Sequence, residues 1–452
     1  MTTAAGSTGR SAERPGEGGR VAVVGGGVSG VAAAHRLRAA GFEVDLVERE
    51  DVLGGRSAEG RLEERWVTFG GKNIGSRYRR FRAFAAEHGC GDFEPFGVNS
   101  SRAEGDRLIT VDSSRRWKTA LSTAQLGSPR DLARLVRLAM AVRREEGNRF
   151  LGSPLSAELG ERHDHAPLSD HFGPRLVRRL LRPVVVRMNG AEPDEAYLGN
   201  FPSNLGMMLQ SYEQLSHGMR DLFERFGERA GAVTGTAAEG LVVDGGSVTG
   251  LELRAAGADA RREPYDAVVL ATPAPISAGL VRPHHAGLAD LLERVTYHPA
   301  AVVLARYERP VMREDVRALV FDDGPVSNAG AYGVGDLDLV RYTFSGRDAR
   351  PLLERGPEEL LDAAEERLVR HFPDARADRR REVAWRRWDR AYCAYLPYHG
   401  RFLADVRRML GELPRLHLAG DYLRGASIEA CFKAGEDCAA EVAARFSRER
   451  SR

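Results

Sequence analysis

The chain has 452 residues, a hydrophobic share of 42% and a formal net charge of +2, with 66 basic residues set against 64 acidic ones. That length predicts two to three domains, and the near cancellation of charge excludes the global basic field of a nucleic-acid binder. Four cysteines, at 90, 393, 431 and 438, form no CxxC pair; they suggest neither a zinc site nor a disulfide framework and fit a reducing cytoplasm.

Residues 1–19 are rich in Gly, Ser, Thr, Ala and Glu without the apolar stretch of a signal peptide, and are expected to form a disordered tail. The next stretch, "RVAVVGGGVSGVAAAHRLRAAGFEVDLVERE", reads as a strand (Val21 to Val24), a glycine turn, an alanine-rich helix stopped near Gly41, and a second strand ending at Glu48. The turn supplies Gly25, Gly27 and Gly30 in G-x-G-x-x-G spacing: a tight turn, close approach of backbone to a pyrophosphate, and close helix–strand packing. A diphosphate would rest on the helix N-terminus, beside Val28 and Ser29. Glu48, 18 residues after Gly30, can accept hydrogen bonds from a ribose. Strand, turn, helix, strand and acid in this order predict a dinucleotide-binding unit. "REDVLGGRSAEG" then offers Arg49 and a second flexible turn, Gly55 with Arg56, whose guanidinium can pair with the same diphosphate.

"FGGKNIG" follows, with Gly70, Gly71 and Lys72. Lysine occurs only at 72, 118 and 433, so 63 of the 66 basic residues are arginine and a retained lysine invites a functional reading beside that of a surface turn. Residues 128–150 and 167–189 read as helices, the second alternating arginine with apolar residues; a helical cap is favoured over a basic membrane-surface helix. His163, Asp164, His165, Asp170 and His171 resemble metal ligands only superficially, because their spacing matches no zinc motif and Pro167 interrupts a shared face; no metal is expected. "GAVTGTAAEGLVVDGGSVTGLEL" and "YDAVVLATPAP" read as a hairpin and a buried strand. "AAVVLARYERPV", "VRALVFDD", "LDLVRYTFSG" and "REVAWRRW" are strand-like, and "PEELLDAAEERLVRHFP" is helical. The aromatic run "WRRWDRAYCAYLPYHGRF" brings Trp388, Tyr392, Tyr395, Tyr398 and His399 close to the final segment, "RLHLAGDYLRGASIEACFKAGEDCAAEVAARF", a strand, a Gly-Asp corner and a long helix from about Ser427. Cys431 and Cys438 share that helix about 10 Å apart, beyond disulfide reach.

This combination of terminal motifs resembles the FAD-dependent amine oxidase superfamily, which includes monoamine oxidases, protoporphyrinogen oxidases and phytoene desaturase-like enzymes. The resemblance implies an α/β fold in which a Rossmann-like FAD-binding domain of the GR2 type (residues 20–76, 212–282 and 405–452) is interleaved with an α+β substrate domain bearing a helical cap (77–211 and 283–404). It implies that Gly25, Gly27, Gly30 and Glu48 hold the adenosine half of FAD, with Val28, Ser29 and Arg49 nearby. Gly55, Arg56, Gly420 and Asp421 then fall to the diphosphate or ribityl chain, Val233 to adenine through its backbone, and Gly70, Gly71 and Lys72 to the flavin ring. Ser427 and Ile428 open a helix whose positive end would point at flavin N1 and O2. Lys72, Tyr395, Tyr398 and His399 are the candidate catalytic or pocket residues.

Two departures shape the expectation. "YLPYHGRF" lacks the cysteine that tethers flavin in some members, so FAD is expected to be noncovalent; and residues 119–432 contain no lysine, which lowers the weight of a simple amine oxidase. The expected activity is hydride removal from a largely apolar small molecule, in specialised or isoprenoid metabolism, by a desaturase, dehydrogenase or oxidase. The alternatives are an amine oxidase, a net non-redox isomerase or cyclase, and a flavin-binding protein without catalysis. No apolar run reaches membrane-spanning length, so a cytoplasmic protein is expected, with peripheral membrane contact and oligomeric state left open.

Overall fold

The computed structural model describes residues 18–95, 100–104, 107–111 and 126–451. The expected tail therefore lies outside the described residues except at Gly18 and Gly19, and there the fold has already begun: the Gly19 carbonyl accepts from Glu43 N–H at 3.0 Å.

The valine-rich run Arg20–Val24 is a strand because it is buried on both faces of a parallel sheet, where alternation gives way to continuous apolar sequence. Four parallel strands lie in the order Leu416–Leu418, Ala267–Leu270, Arg20–Val24, Glu43–Val47. Chain segments almost 400 positions apart thus share one sheet. On one side the helix Val28–Ala39 packs on the C-terminal helix Ile428–Arg450. The two backbones approach so closely that a Cβ at Gly435 would overlap the Ser29 carbonyl and lie 2.7 Å from Ala33 N. The other side is covered by the hairpin Thr236–Asp244 and Ser247–Ala255 and by helices at Ala274–Val281, Ala286–Glu293 and His399–Leu410.

A second sheet has seven strands, in the order Arg380–Ala394, Thr296–Tyr307, Leu339–Phe344, Val326–Ala331, Ala318–Val320, Ser100–Glu104, Arg107–Val111. Its pleat separates two environments. Val340, Tyr342 and Phe344 join the core formed with helix Pro357–Leu368, while Leu339, with Val302 and Leu304, packs against Leu62, Val67 and Phe69. Arg341 falls on the latter face, toward the "FGGKNIG" turn. Under the first face, Glu365 accepts from the Tyr307 hydroxyl at 2.7 Å and from Arg380 at 2.7 and 2.8 Å, so its buried charge is matched.

The arginine-rich helices are shorter or more broken than expected. The first runs Pro129–Arg144 from a Ser128–Asp131 capping box and gives way to a short turn at Glu146–Arg149. The second is broken into a turn at Leu168–His171 and a helical run from Pro174 to Asn189. Within that run Val177–Leu181 is a π-helical turn, with Arg182 N–H donating to the Val177 carbonyl. Pro183 lacks an N–H and its ring would strike the carbonyl four residues back; the widened turn just before it makes room.

The helix–helix contact makes a paired prediction. Gly435→Ala should lower stability by roughly 1–3 kcal/mol, since the methyl meets backbone that has nowhere to move. Gly279→Ala, in a helix where a Cβ meets nothing within 4 Å, should be neutral or stabilising by about 0.5–1 kcal/mol. Urea unfolding of the two variants checks both signs.

Candidate functional site

Two glycine turns are joined at the C-terminal edge of the parallel sheet. Gly54 N–H donates to the Gly26 carbonyl at 2.8 Å, and a Cβ on Gly55 would come within 3.2 Å of Gly27 Cα. Gly25 has φ +103°, and a Cβ at Gly30 would overlap the Gly25 carbonyl, so neither position admits a side chain. Above Gly27, in contrast, a Cβ would meet nothing within 4 Å. The helix that starts there has no side-chain cap and no acidic residue in its first turn, leaving the N–H groups near Val28 and Ser29 for an external anion. Glu48, one residue beyond the strand end, is oriented by Gly26 N–H at 2.6 Å and Glu50 N–H at 2.9 Å. Arg49 is exposed and pairs with Glu50.

Arg56 reaches across to the C-terminal segment. Its guanidinium meets Asp421 at 2.7 Å and the Ala391 carbonyl at 3.0 Å, and the Tyr297 hydroxyl donates to the other Asp421 oxygen at 2.7 Å. Asp421 is 2% exposed, yet Arg56 keeps about a third of its side-chain surface accessible (36%). Gly420, at φ +152°, turns the chain into this corner. Seven residues past it, Ser427 caps the C-terminal helix by accepting from Ala430 N–H at 3.1 Å, which leaves Ile428 beside Gly71. Glu429 in that helix's first turn is occupied by Arg80 at 3.1 Å and by the Phe81 amide at 3.2 Å.

The "FGGKNIG" turn passes beside this corner. Gly70 is required by the protein itself rather than by a ring, because a Cβ there would overlap the Arg56 carbonyl; at Gly71 a Cβ would make only ordinary contacts, 3.5 Å from Ser57 and 3.7 Å from Ile428. Lys72 is not a surface residue. It is 7% exposed, its ammonium donates to Gln214 Oε1 at 2.9 Å and to the Tyr332 carbonyl, and it lies 3.9 Å from the centroid of the Tyr332 ring. Burial and then Arg341 hold its pKa well below the usual lysine value. These contacts brace the turn from behind.

Other expected residues are placed elsewhere. The Val233 backbone joins the sheet, with N–H on the Leu46 carbonyl at 2.8 Å and its own carbonyl accepting from Glu48 N–H at 2.9 Å, which leaves the second lone pair of that carbonyl for an adenine. Tyr398 adopts φ 53°, its N–H donates to Asp164 at 3.0 Å, and its ring carries Arg401, whose partner Glu161 lies on the surface. His399 is a core residue: Nε2 bonds the Tyr422 carbonyl at 2.8 Å, its ring packs on Phe402 and Tyr395, and burial pushes its pKa down to about 4. Tyr395 is buried with its ring edge against His399 and borders a small internal void with Asn189 and Asn204. In the histidine group, His171 bonds the His163 carbonyl at 3.0 Å and Asp164 accepts from Gly199 N–H at 2.8 Å; among the described residues no three such groups converge for a metal.

The residues missed by sequence reasoning are Arg187, Arg341 and Tyr297. Arg341 donates to the Phe69 carbonyl at 2.7 Å, the Gly70 carbonyl at 3.3 Å and Thr343 Oγ1 at 3.0 Å, all neutral acceptors, and its Nε is buried without a partner. The Arg187 side chain, in helix Arg182–Asn189, makes no hydrogen bond or ion pair among the described residues. Burial lowers the pKa of both, and both lie close to Tyr392. The alternation in "LDLVRYTFSG" carried a signal for Arg341, since an arginine between Leu339 and Thr343 shares their face.

A family model, flavin containing amine oxidoreductase, matches residues 28–443. The chain belongs to this family. Coproporphyrinogen III oxidase of Mycobacterium tuberculosis (strain H37Rv) is 27% identical over 440 residues, spanning 90% of this chain and 94% of that protein. Among solved structures, a putrescine oxidase variant superposes with a TM-score of 0.76 at 18% identity (94% of this chain, 99% of that one). Cyclohexylamine oxidase from Brevibacterium oxydans IH-35A superposes with a TM-score of 0.74 at 20% identity, covering 95% of this chain and 99% of that one. These identities report the shared fold. The protein is accordingly an FAD-dependent oxidoreductase, and its residues fit the cofactor: an open space above Gly27, an uncapped helix N-terminus, an oriented Glu48 and an accessible Arg56. No helix among the described residues is long and apolar enough to cross a membrane.

Two outcomes follow from the buried polar groups. Lys72→Met should retain FAD and lose about 1–3 kcal/mol of stability, because the Tyr332 carbonyl and Gln214 lose their donor; denaturant unfolding of the holoprotein measures it. His399 takes up no proton in the folded protein until about pH 4, whereas the unfolded chain protonates near 6.5. Stability therefore falls as pH drops through that window, and His399→Gln should flatten the dependence of Tm on pH between those limits.

Proposed function

We propose that this enzyme withdraws hydride equivalents from a porphyrinogen-like small molecule, at C–H bonds beside nitrogen-bearing rings, with FAD held noncovalently. In this reading residues 20–76, 212–282 and 405–452 form a Rossmann-like cofactor domain, and residues 77–211 and 283–404 form the substrate domain with its helical cap. Gly25, Gly27, Gly30 and the amides near Val28 and Ser29 receive the diphosphate. Glu48 binds the ribose, and Arg56 with Asp421 positions the remainder of the cofactor, with Gly55 and Gly420 shaping the turns. Gly71 and Ile428 border the ring, and the helix capped by Ser427 directs its positive end toward it. FAD supplies a two-electron acceptor; the chain supplies orientation, a water-poor chamber and fixed positive charge.

The observation that carries the choice of substrate is the pair Arg187 and Arg341. An amine substrate is an ammonium at neutral pH, and two buried guanidiniums with no carboxylate beside them repel it in a medium of low dielectric. An isoprenoid polyene offers nothing to match them. A tetrapyrrole of the kind named for the mycobacterial relative, with a broad apolar body and carboxylates at its rim, supplies the anion that the two guanidiniums lack. Peripheral membrane contact, where it occurs, would involve the helix Pro129–Arg144, which exposes Val136 (54%) and Met140 (57%) between arginines.

Anaerobic titration of the purified holoenzyme separates the readings. Coproporphyrinogen III should bleach the flavin absorbance stoichiometrically, and cyclohexylamine or putrescine should leave it unchanged. Bleaching by the amines alone would return the enzyme to amine oxidation. Turnover of coproporphyrinogen to an isomer with the flavin still oxidised would establish net non-redox chemistry instead.

A further inference from the structure

The pair that argues against amines has a more specific use. Arg187 and Arg341 come from different elements, the cap helix Arg182–Asn189 and the central strand Leu339–Phe344, yet each lies within electrostatic reach of the same phenol, Tyr392, and they lie within reach of each other. Both side chains are half-buried, set among protein yet with part of their surface accessible.

The surrounding acids are spoken for. Glu192 pairs with Arg182 at 2.7 Å, Glu195 with Arg350 at 2.7 Å, Asp194 with Arg347 at 2.8 Å and Asp421 with Arg56 at 2.7 Å. Arg341 is held in place by carbonyl and hydroxyl oxygens that orient it without neutralising it. Two like charges held among protein without a counter-ion are unfavourable, and an anion bound between them would supply the missing compensation. Tyr392, with its hydroxyl as a third donor, lies on the strand whose residue 391 carbonyl accepts from Arg56, so the charged site adjoins the cofactor corner.

We propose that Arg187, Arg341 and Tyr392 form a subsite for a carboxylate of the substrate, through which the guanidinium forks fix which C–H bond faces the flavin. This rests on the oxidase reading but not on the substrate being a tetrapyrrole. Arg187 and Arg341 are specificity-determining residues; neither needs to move a proton in the reaction.

The test uses the FAD-loaded enzyme and two probes of the same shape, benzoate and benzamide, followed by perturbation of the flavin absorbance. In the wild-type protein benzoate should bind at least tenfold more tightly than benzamide. Arg187→Gln, which breaks no hydrogen bond within the protein, should abolish that preference while leaving FAD content and Tm unchanged, and Arg187→Lys should restore part of it. Arg341→Gln should act in the same direction. With coproporphyrinogen III, Arg187→Gln should raise KM at least tenfold with a smaller change in kcat. Equal affinity of wild-type enzyme for the acid and the amide, or an acid preference that survives in Arg187→Gln, would overturn the subsite. Failure of coproporphyrinogen III to reduce the flavin while the benzoate preference holds would instead refute the tetrapyrrole and keep the carboxylate.

Discussion

The ion pair between Arg56 and Asp421 joins positions 365 residues apart, and the cofactor corner is assembled around it. Asp421 is almost fully buried, so its charge is tolerated only because a guanidinium and the Tyr297 hydroxyl both reach it. Tyr297 comes from the seven-stranded sheet, Arg56 from the second glycine turn and Asp421 from the end of the parallel sheet. One carboxylate therefore bridges groups carried by the two sheets. The turn at Gly70 then packs directly on the Arg56 carbonyl, and Arg341 in the facing sheet ties the next layer to Phe69 and Gly70. Positioning passes from the ion pair outward through backbone contacts that leave no room for a side chain.

This arrangement separates two uses of positive charge. Arg56 is compensated within the protein and still presents an accessible edge. Arg187 and Arg341 are left uncompensated, and the acids of their own neighbourhood are engaged with other arginines. Arginine suits both uses because its guanidinium remains charged even when burial lowers its pKa, whereas burial and the neighbouring Arg341 hold the Lys72 pKa well below the usual lysine value.

Local features were legible in the sequence. The strand, glycine turn, helix and Glu48 read directly, because steric demands on Gly25 and Gly30 and the burial of Val21 to Val24 act within a few residues, and the Ser427 cap lies at the start of its helix for the same reason. Contacts set by the tertiary fold were not. Tyr398 and His399 adjoin the last motif in sequence, but the left-handed turn at Tyr398 directs one toward Arg401 and the other into the core. Arginine is the default cation of this chain, so neither Arg187 nor Arg341 stood out by type, and only the register of strand Leu339–Phe344 marked one of them. The rarity of lysine did single out Lys72 correctly as unusual, though its partners could not be foreseen from local sequence.

The π-helical turn at Val177–Leu181 carries one more residue than an α-helical turn, and every side chain beyond it is rotated by about 100° relative to an uninterrupted helix. Arg187 is six residues past that turn. The residue turned toward Tyr392 is therefore chosen by the count of residues upstream as well as by identity at 187. Loss of a single residue upstream would rotate the guanidinium away from Tyr392 and bring the next side chain, Met188, into its place. Relatives could thus exchange a charged wall for an apolar one through a change in length, with the lining residues themselves untouched.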